Sequence, residues 1–136
     1  MLRKDFFQAE IDRLAQVLAR IIGLNRQGSL EESTKLLEDT LSKDFELELR
    51  SLSILSLEDF KTLLENKSYA AQKLDLLAQL LLEETQVVEQ PEQKTLLFNK
   101  VLVIFDLLEK EHHTQSLDNI SKRIEIEKFL KAHKHE

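Results

Sequence analysis

A chain of 136 residues with 42% hydrophobic and 32% charged residues can build one core under a well-solvated surface. Two glycines and one proline exclude the many tight turns of a β-sandwich or barrel, and the absence of cysteine excludes disulfides, thiolate metal sites and a cysteine nucleophile. The net charge of −6 weighs against nucleic acid as a partner, because such binders carry a basic face.

The spacing predicts a first helix over residues 3–25. Phe7, Ile11, Leu14, Leu18 and Ile21 alternate steps of four and three, and Phe6, Val17 and Ile22 widen the seam. Gly23 and Gly28 flank its end. Glu10, Asp12 and Arg13 interrupt any apolar run there, so the stretch does not read as a signal peptide. No run in the chain approaches the ~18 apolar residues of a membrane span. The expectation is a soluble, cytoplasmic protein with no membrane partner. Arg3, Lys4, Arg13, Arg20 and Arg26 outnumber Asp5, Glu10 and Asp12, and this basic helix is expected to pack against acidic neighbours.

Ser29-Leu-Glu-Glu32 has the form of a capping box, in which the Ser29 hydroxyl accepts from the amide three residues on and Glu32 reaches back. The helix it opens carries Leu30, Leu36, Leu37 and Leu41 and ends near Lys43. With the first helix it forms an antiparallel hairpin. In residues 44–55, Phe45, Leu47 and Leu49 alternate as in a strand, but no partner strand exists. This segment reads as a short helix or irregular connection capped by Asp44.

Ser56-Leu-Glu-Asp59 repeats the capping pattern and opens a helix to about Asn66, with Phe60, Leu63 and Leu64 inward. Ser68 is expected to cap a helix over 69–88 striped by Ala70, Leu74, Leu77, Leu81 and Val88. Pro91 suits a first helical position, where its missing amide costs nothing. The helix it opens, about 91–112, is the expected centre of the fold. Leu97, Phe98, Val101, Leu102, Ile104, Phe105 and Leu108 cover more than half its circumference. The run VLVIF also suits a buried strand, but no Gly or Pro bounds it and helical spacing continues on both sides. Ser116-Leu-Asp-Asn119 opens a last helix to about residue 132 with Leu117, Ile120, Ile124, Phe129 and Leu130 apolar. Residues 131–136 are expected to fray.

The run Gly28-Ser-Leu-Glu-Glu-Ser33, followed by Leu36, Leu37 and Leu41, resembles the turn and second helix of a tetratricopeptide repeat, with Ser33 at the small position and Leu37 at the large one. Leu81–Leu102 is a second, weaker echo, with Phe98 at the large position and Lys94 where the small residue belongs. The element order is similar to a bacterial domain family of unknown function with a tetratricopeptide-like fold. That resemblance implies a helical scaffold and assigns no activity and no site residues. The expected fold is a single all-α domain over residues 1–136, with five to six antiparallel helices arranged as tetratricopeptide-like hairpins or a bundle.

Candidate chemistry is sparse. Glu109-Lys-Glu-His112 has the Glu-x-x-His spacing of di-iron bundles, but those need two such motifs and two further Glu residues. His112 and His113 are better placed as cations at a helix C-terminus. His133 and His135 lie in a charged tail without the surroundings that fix a metal site. Glu31 with Glu32, and Glu83 with Glu84, are sequence neighbours and point about 100° apart on a helix, so neither is an acid–base dyad. Asp75 and Asp106 sit beside apolar stripes as boundary residues. A helix-turn-helix reading of the first two helices fails because Glu31, Glu32, Glu38 and Asp39 would repel phosphates. No catalytic, cofactor-binding or metal residue is assigned.

Phe6, Phe7, Leu47, Leu49, Leu52, Ile54, Leu55 and Leu57 are candidates for an exposed apolar surface, or else for a cap over an open end of the core. The expected function is a non-enzymatic protein–protein interaction or scaffold module, acting on an unknown protein partner or by self-association as a homodimer. The alternative is a helical-bundle enzyme, or a small-ligand or metal-binding protein, with its site between helices.

Overall fold

The computed structural model describes residues 2–133, with side chains from residue 6 onward. The described residues are all-helical. Seven α-helices run in chain order: α1 Leu2–Arg26, α2 Leu30–Thr40, α3 Leu49–Ile54, α4 Leu57–Lys67, α5 Ala71–Thr85, α6 Pro91–Glu111 and α7 Leu117–Ala132. A single π-helical turn, Leu41–Phe45, continues α2. The short α3 is what takes the number beyond the five to six expected. None of the described helices is long and apolar enough to cross a membrane. His135 and the last residues of the expected frayed tail lie outside the described residues.

The chain divides into two compact units, Met1–Ile54 and Leu55–Glu136. In the first, α1 packs against α2, and Leu14, Ile21, Leu24, Leu37, Leu41, Phe45, Leu47 and Leu52 are buried. Two of the basic residues of α1 meet acidic neighbours. Arg13 forms a two-pronged pair with Asp44, one prong at 3.2 Å, and Arg20 lies 3.4 Å from Glu32. The hydrogen bond that Arg13 donates to the Asp44 carboxylate is the main reason that the Arg13 pKa is raised.

Two caps differ from expectation here. Ser29 precedes α2 with ψ at 64° rather than extended, and its hydroxyl makes no capping bond. Glu32, freed from the capping box, pairs with Arg20 instead. Asp44 does not cap α3. It sits inside the π turn, which ends when Glu46 turns left-handed at φ 56° and Leu47 N–H closes onto the Leu41 carbonyl at 2.9 Å. That closure carries Phe45 and Leu47 into the core, which is why their alternation is not that of a strand.

In the second unit, α4, α5 and α7 pack against α6. Leu97, Val101, Ile104, Phe105, Leu107 and Leu108 of α6 are buried, as are Phe60 and Leu64 of α4 and Leu74, Leu77, Leu80 and Leu81 of α5. Ser56 and Ser116 cap α4 and α7 as expected, accepting from the amides of Asp59 at 3.1 Å and Asn119 at 3.0 Å. Pro91 takes the first turn of α6. Ser68 does not cap α5. It closes α4 in the left-handed region at φ 53°, its hydroxyl donating to the Glu65 carbonyl, and α5 starts after Ala70 with no side-chain cap. At its far end α5 stops at Thr85, short of Val88.

Candidate functional site

The surface patch suggested by the apolar surplus does not form as one. Leu47 and Leu52 are core, Phe7, Leu49 and Leu55 are half-buried, and only Phe6, Ile54 and Leu57 are exposed.

The Glu109 and His112 pair is also taken apart. Glu109 faces the start of α7: Gln115, in the connection before that helix, donates to it at 3.0 Å, and Arg123 of α7 approaches at 3.5 Å. Arg123 bonds Asp106 at 3.1 Å and lies 5.9 Å from the Phe105 ring, so both carboxylates serve one α6–α7 contact. His112 is the C-cap of α6 and lines a separate hollow with Tyr69, Leu74 and Leu107. Among the described residues no group of three or more His, Asp or Glu is placed to hold a metal ion. His133 closes α7, stacked on Phe129 at 4.1 Å, with Nδ1 donating to the Phe129 carbonyl at 2.9 Å. Glu84 is buried while Glu83 lines a hollow between α5 and α7, so this acid pair is divided as well.

That hollow is the site the sequence reading missed. Asp75 joins a polar clasp: Asn119 donates to its carboxylate at 2.8 Å, Gln79 donates to Asn119 at 3.1 Å, and Lys122 donates to the Gln79 carbonyl. Lys122 also pairs with Asp118 at 2.9 Å. The clasp ties one end of α5 to α7. One to two turns further on, the helices leave a hollow of about 260 Å³ floored by Leu82, Phe98 and Ile126 and walled by Gln79, Glu83, Gln86, Lys122 and Glu125. Gln79, Leu82, Glu83 and Gln86 stand at steps of three, one and three, which is one face of α5. The only advance signal was that this face mixes leucine with uncharged amides.

A second residue missed is Lys100, which is 1% exposed. Its ammonium donates to the Leu55 carbonyl at 3.0 Å and lies 5.9 Å from the centre of the Phe60 ring. Burial lowers its pKa. Its position was legible, three residues after Leu97 and four before Ile104 on the apolar stripe of α6.

On the side of α7 away from the clasp, Leu117 and Ile124 are 85% and 51% exposed, and Ile126 is the helix's one wholly buried apolar side chain. No known family model, curated protein or solved structure matches the chain.

Proposed function

We propose that the chain is a non-enzymatic scaffold that docks a partner protein in the wedge between α5 and α7. The observation that carries this is the size and lining of the hollow. Pockets for cofactors and small substrates run from roughly 300 to 1,000 Å³ and enclose most of their ligand. A hollow of about 260 Å³, at the small end of that range and only partly enclosed, suits one or two side chains of a larger molecule. Its apolar floor under a polar rim is the anatomy of a protein interface. The net charge of −6 disfavours a second copy as the occupant, since like-charged chains repel.

The tetratricopeptide-like reading is part of this proposal. It is supported by the burial of Ser33 and Leu37 at the small and large positions. Antiparallel pairing of α6 with α7 is supported by the order of their contacts, Phe98 with Phe129 and Asp106 with Arg123, followed by Glu109 with Gln115 just ahead of α7. We take the chain to act in the cytoplasm, which its lack of cysteine suits.

The test is capture from the source organism's lysate with two baits, the wild type and Gln86→Trp, which puts an indole over the hollow from an exposed position. A stoichiometric protein held by the first and lost by the second is expected. A wild type that retains a small molecule in native mass spectra, and no protein, would overturn the reading.

A further inference from the structure

We propose that α7 is an exchangeable arm: it leaves its own seat on α5 and α6 and takes the identical seat on a second copy of this chain, giving a reciprocal two-fold dimer. This does not rest on the docking of a partner protein, and either reading can fail without the other.

The seat shows what the second copy would meet. Asn119 donates to Asp75 at 2.8 Å, Lys122 to the Gln79 carbonyl and Arg123 to Asp106 at 3.1 Å, while Ile126 is buried and Phe129 lies 4.9 Å from Phe98. The α7 of a second copy finds every one of these partners, so exchange leaves the contacts of the seat unchanged. The seat is also easy to leave. Ile126 is the one wholly buried apolar side chain of α7, and most of the other ties are hydrogen bonds that water replaces. Repulsion between two chains of net charge −6 opposes any dimer, but salt screens it over about 10 Å, whereas Arg123 meets its carboxylate in contact.

With equal seats, the connection decides the balance. His112 caps α6, His113 turns left-handed at φ 52°, and the Thr114 N–H closes on the Leu108 carbonyl at 2.8 Å. The turn after α1 puts Gly28 in the left-handed region, but here a histidine occupies it, and a side chain on that backbone is strained. When α7 crosses to another copy, residues 112–116 no longer fold back and His113 returns to ordinary backbone. Each dimer relaxes two such residues. The closed turn keeps the Thr114 hydroxyl on the His112 carbonyl at 3.1 Å and Gln115 on Glu109 at 3.0 Å, both exposed bonds of small net worth. A short tether holds α7 over its own seat at roughly millimolar effective concentration, and two relaxed turns bring the dimer's midpoint below that.

The chain has no cysteine, so single introduced cysteines report cleanly. Gln86 of α5 and Glu125 of α7 are exposed and line the same hollow. Copies carrying Gln86→Cys are concentrated with copies carrying Glu125→Cys and treated with a short bismaleimide, and mass spectra identify the joined peptides. Cross-links between the two copies are expected in proportion to the dimer seen by sedimentation equilibrium. Leu117→Cys, on the side of α7 away from the clasp, is expected to give none with Gln86→Cys. His113→Gly relieves the closed turn and is expected to raise the dimer's dissociation constant at least about tenfold. Thr114→Ala with Ser116→Ala removes the side chains that fix the turn and the start of α7, and is expected to lower it about tenfold.

A wild type and a Thr114→Ala, Ser116→Ala variant that both stay monomeric to about 1 mM would overturn the exchange. A dimer without the cross-link from 86 to 125 would overturn it too, since the copies would then lie side by side. An unchanged midpoint in His113→Gly would overturn the strained turn as its cause. Capture with Gln86→Trp judges the partner-docking reading separately.

Discussion

The ammonium of Lys100 and the carbonyl oxygen of Leu55 lie 3.0 Å apart, in a place where the lysine is almost wholly shielded from water. A single hydrogen bond and the face of Phe60 replace what water would have supplied. Removing the charge relieves a desolvation cost but leaves the Leu55 carbonyl unpaired, and these terms are similar in size at ~1–3 kcal/mol. Lys100→Met is therefore expected to lie within about 1 kcal/mol of the wild type at neutral pH. The pH dependence is sharper. Burial puts the folded-state pKa below the unfolded value near 10.5, so the folded chain binds fewer protons in between. Stability must therefore rise as pH climbs through that window, and the contribution of Lys100 is constant below it, where both states carry the proton. Urea denaturation of the two proteins at neutral and alkaline pH checks this: the wild type gains on Lys100→Met as pH rises. A constant difference would show that Lys100 keeps the same proton affinity folded and unfolded.

Four serines precede helices in this chain, and the structure separates them into two classes. Ser56 and Ser116 accept amide hydrogen bonds at helix N-termini. Ser29 does not, and Ser68 closes the preceding helix instead. Ser56→Ala and Ser116→Ala are each expected to cost ~1 kcal/mol, while Ser29→Ala costs no more than a few tenths. Thermal or chemical denaturation of the three variants orders them. A cost for Ser29→Ala matching the other two would mean that the capping box forms in solution.

This separation shows where the sequence was legible. Helix periodicity, the Pro91 start and the caps at Ser56 and Ser116 depend on residues within one turn, and local rules found them. Ser29 was misread because capping needs an extended backbone, and ψ at that residue follows from the Gly28 turn, φ +80°. Lys100 and the α5–α7 hollow were missed for a different reason. A lysine on an apolar stripe reads as an interruption until a carbonyl from 45 positions away is seen to meet it. A hollow arises from how far two helices diverge, which periodicity along either helix does not encode.

Arg13 and Asp44 join α1 to the π turn with both arms of the guanidinium. Asp44 is mostly shielded while Arg13 is about half exposed, so solvent screens the pair and its coupling stays modest. A double-mutant cycle with Arg13→Ala and Asp44→Ala is expected to give a coupling of ~0.5–1 kcal/mol that shrinks in high salt. Zero coupling at low salt would show that the pair does not hold the turn.

Glu109 and His112 share a helix but not a task. Glu109→Ala removes a partner of Arg123 and Gln115 and is expected to lower stability by ~0.5–1 kcal/mol. His112→Ala, at a cap, is expected to change it by no more than about 0.5 kcal/mol. Neither is expected to alter the melting temperature response to added zinc or iron. Stoichiometric metal in the wild type that vanishes in the double variant would restore the metal reading.

The last helix is held differently from the helix beneath it. Along α6, Leu97, Val101, Ile104, Phe105, Leu107 and Leu108 are all buried, whereas α7 buries Ile126 alone among its apolar residues. What else ties α7 down is largely polar: Asn119 to Asp75, Lys122 to Gln79 and Arg123 to Asp106, with Phe129 against Phe98. Such bonds exchange with water at little net cost, so opening α7 forfeits far less than opening α6. Native-state hydrogen exchange is therefore expected to release the amides of α7 together, before those in the middle of α6. Ile126→Ala should lower the opening free energy of α7 by ~2–4 kcal/mol, as the loss of its one wholly buried anchor. Leu117→Ala, at a site 85% exposed, should leave it within about 0.5 kcal/mol. Simultaneous exchange of α6 and α7 in the wild type would mean that the two helices open only by global unfolding. The wedge beside α7 would then be a rigid feature rather than one that widens as its outer wall loosens.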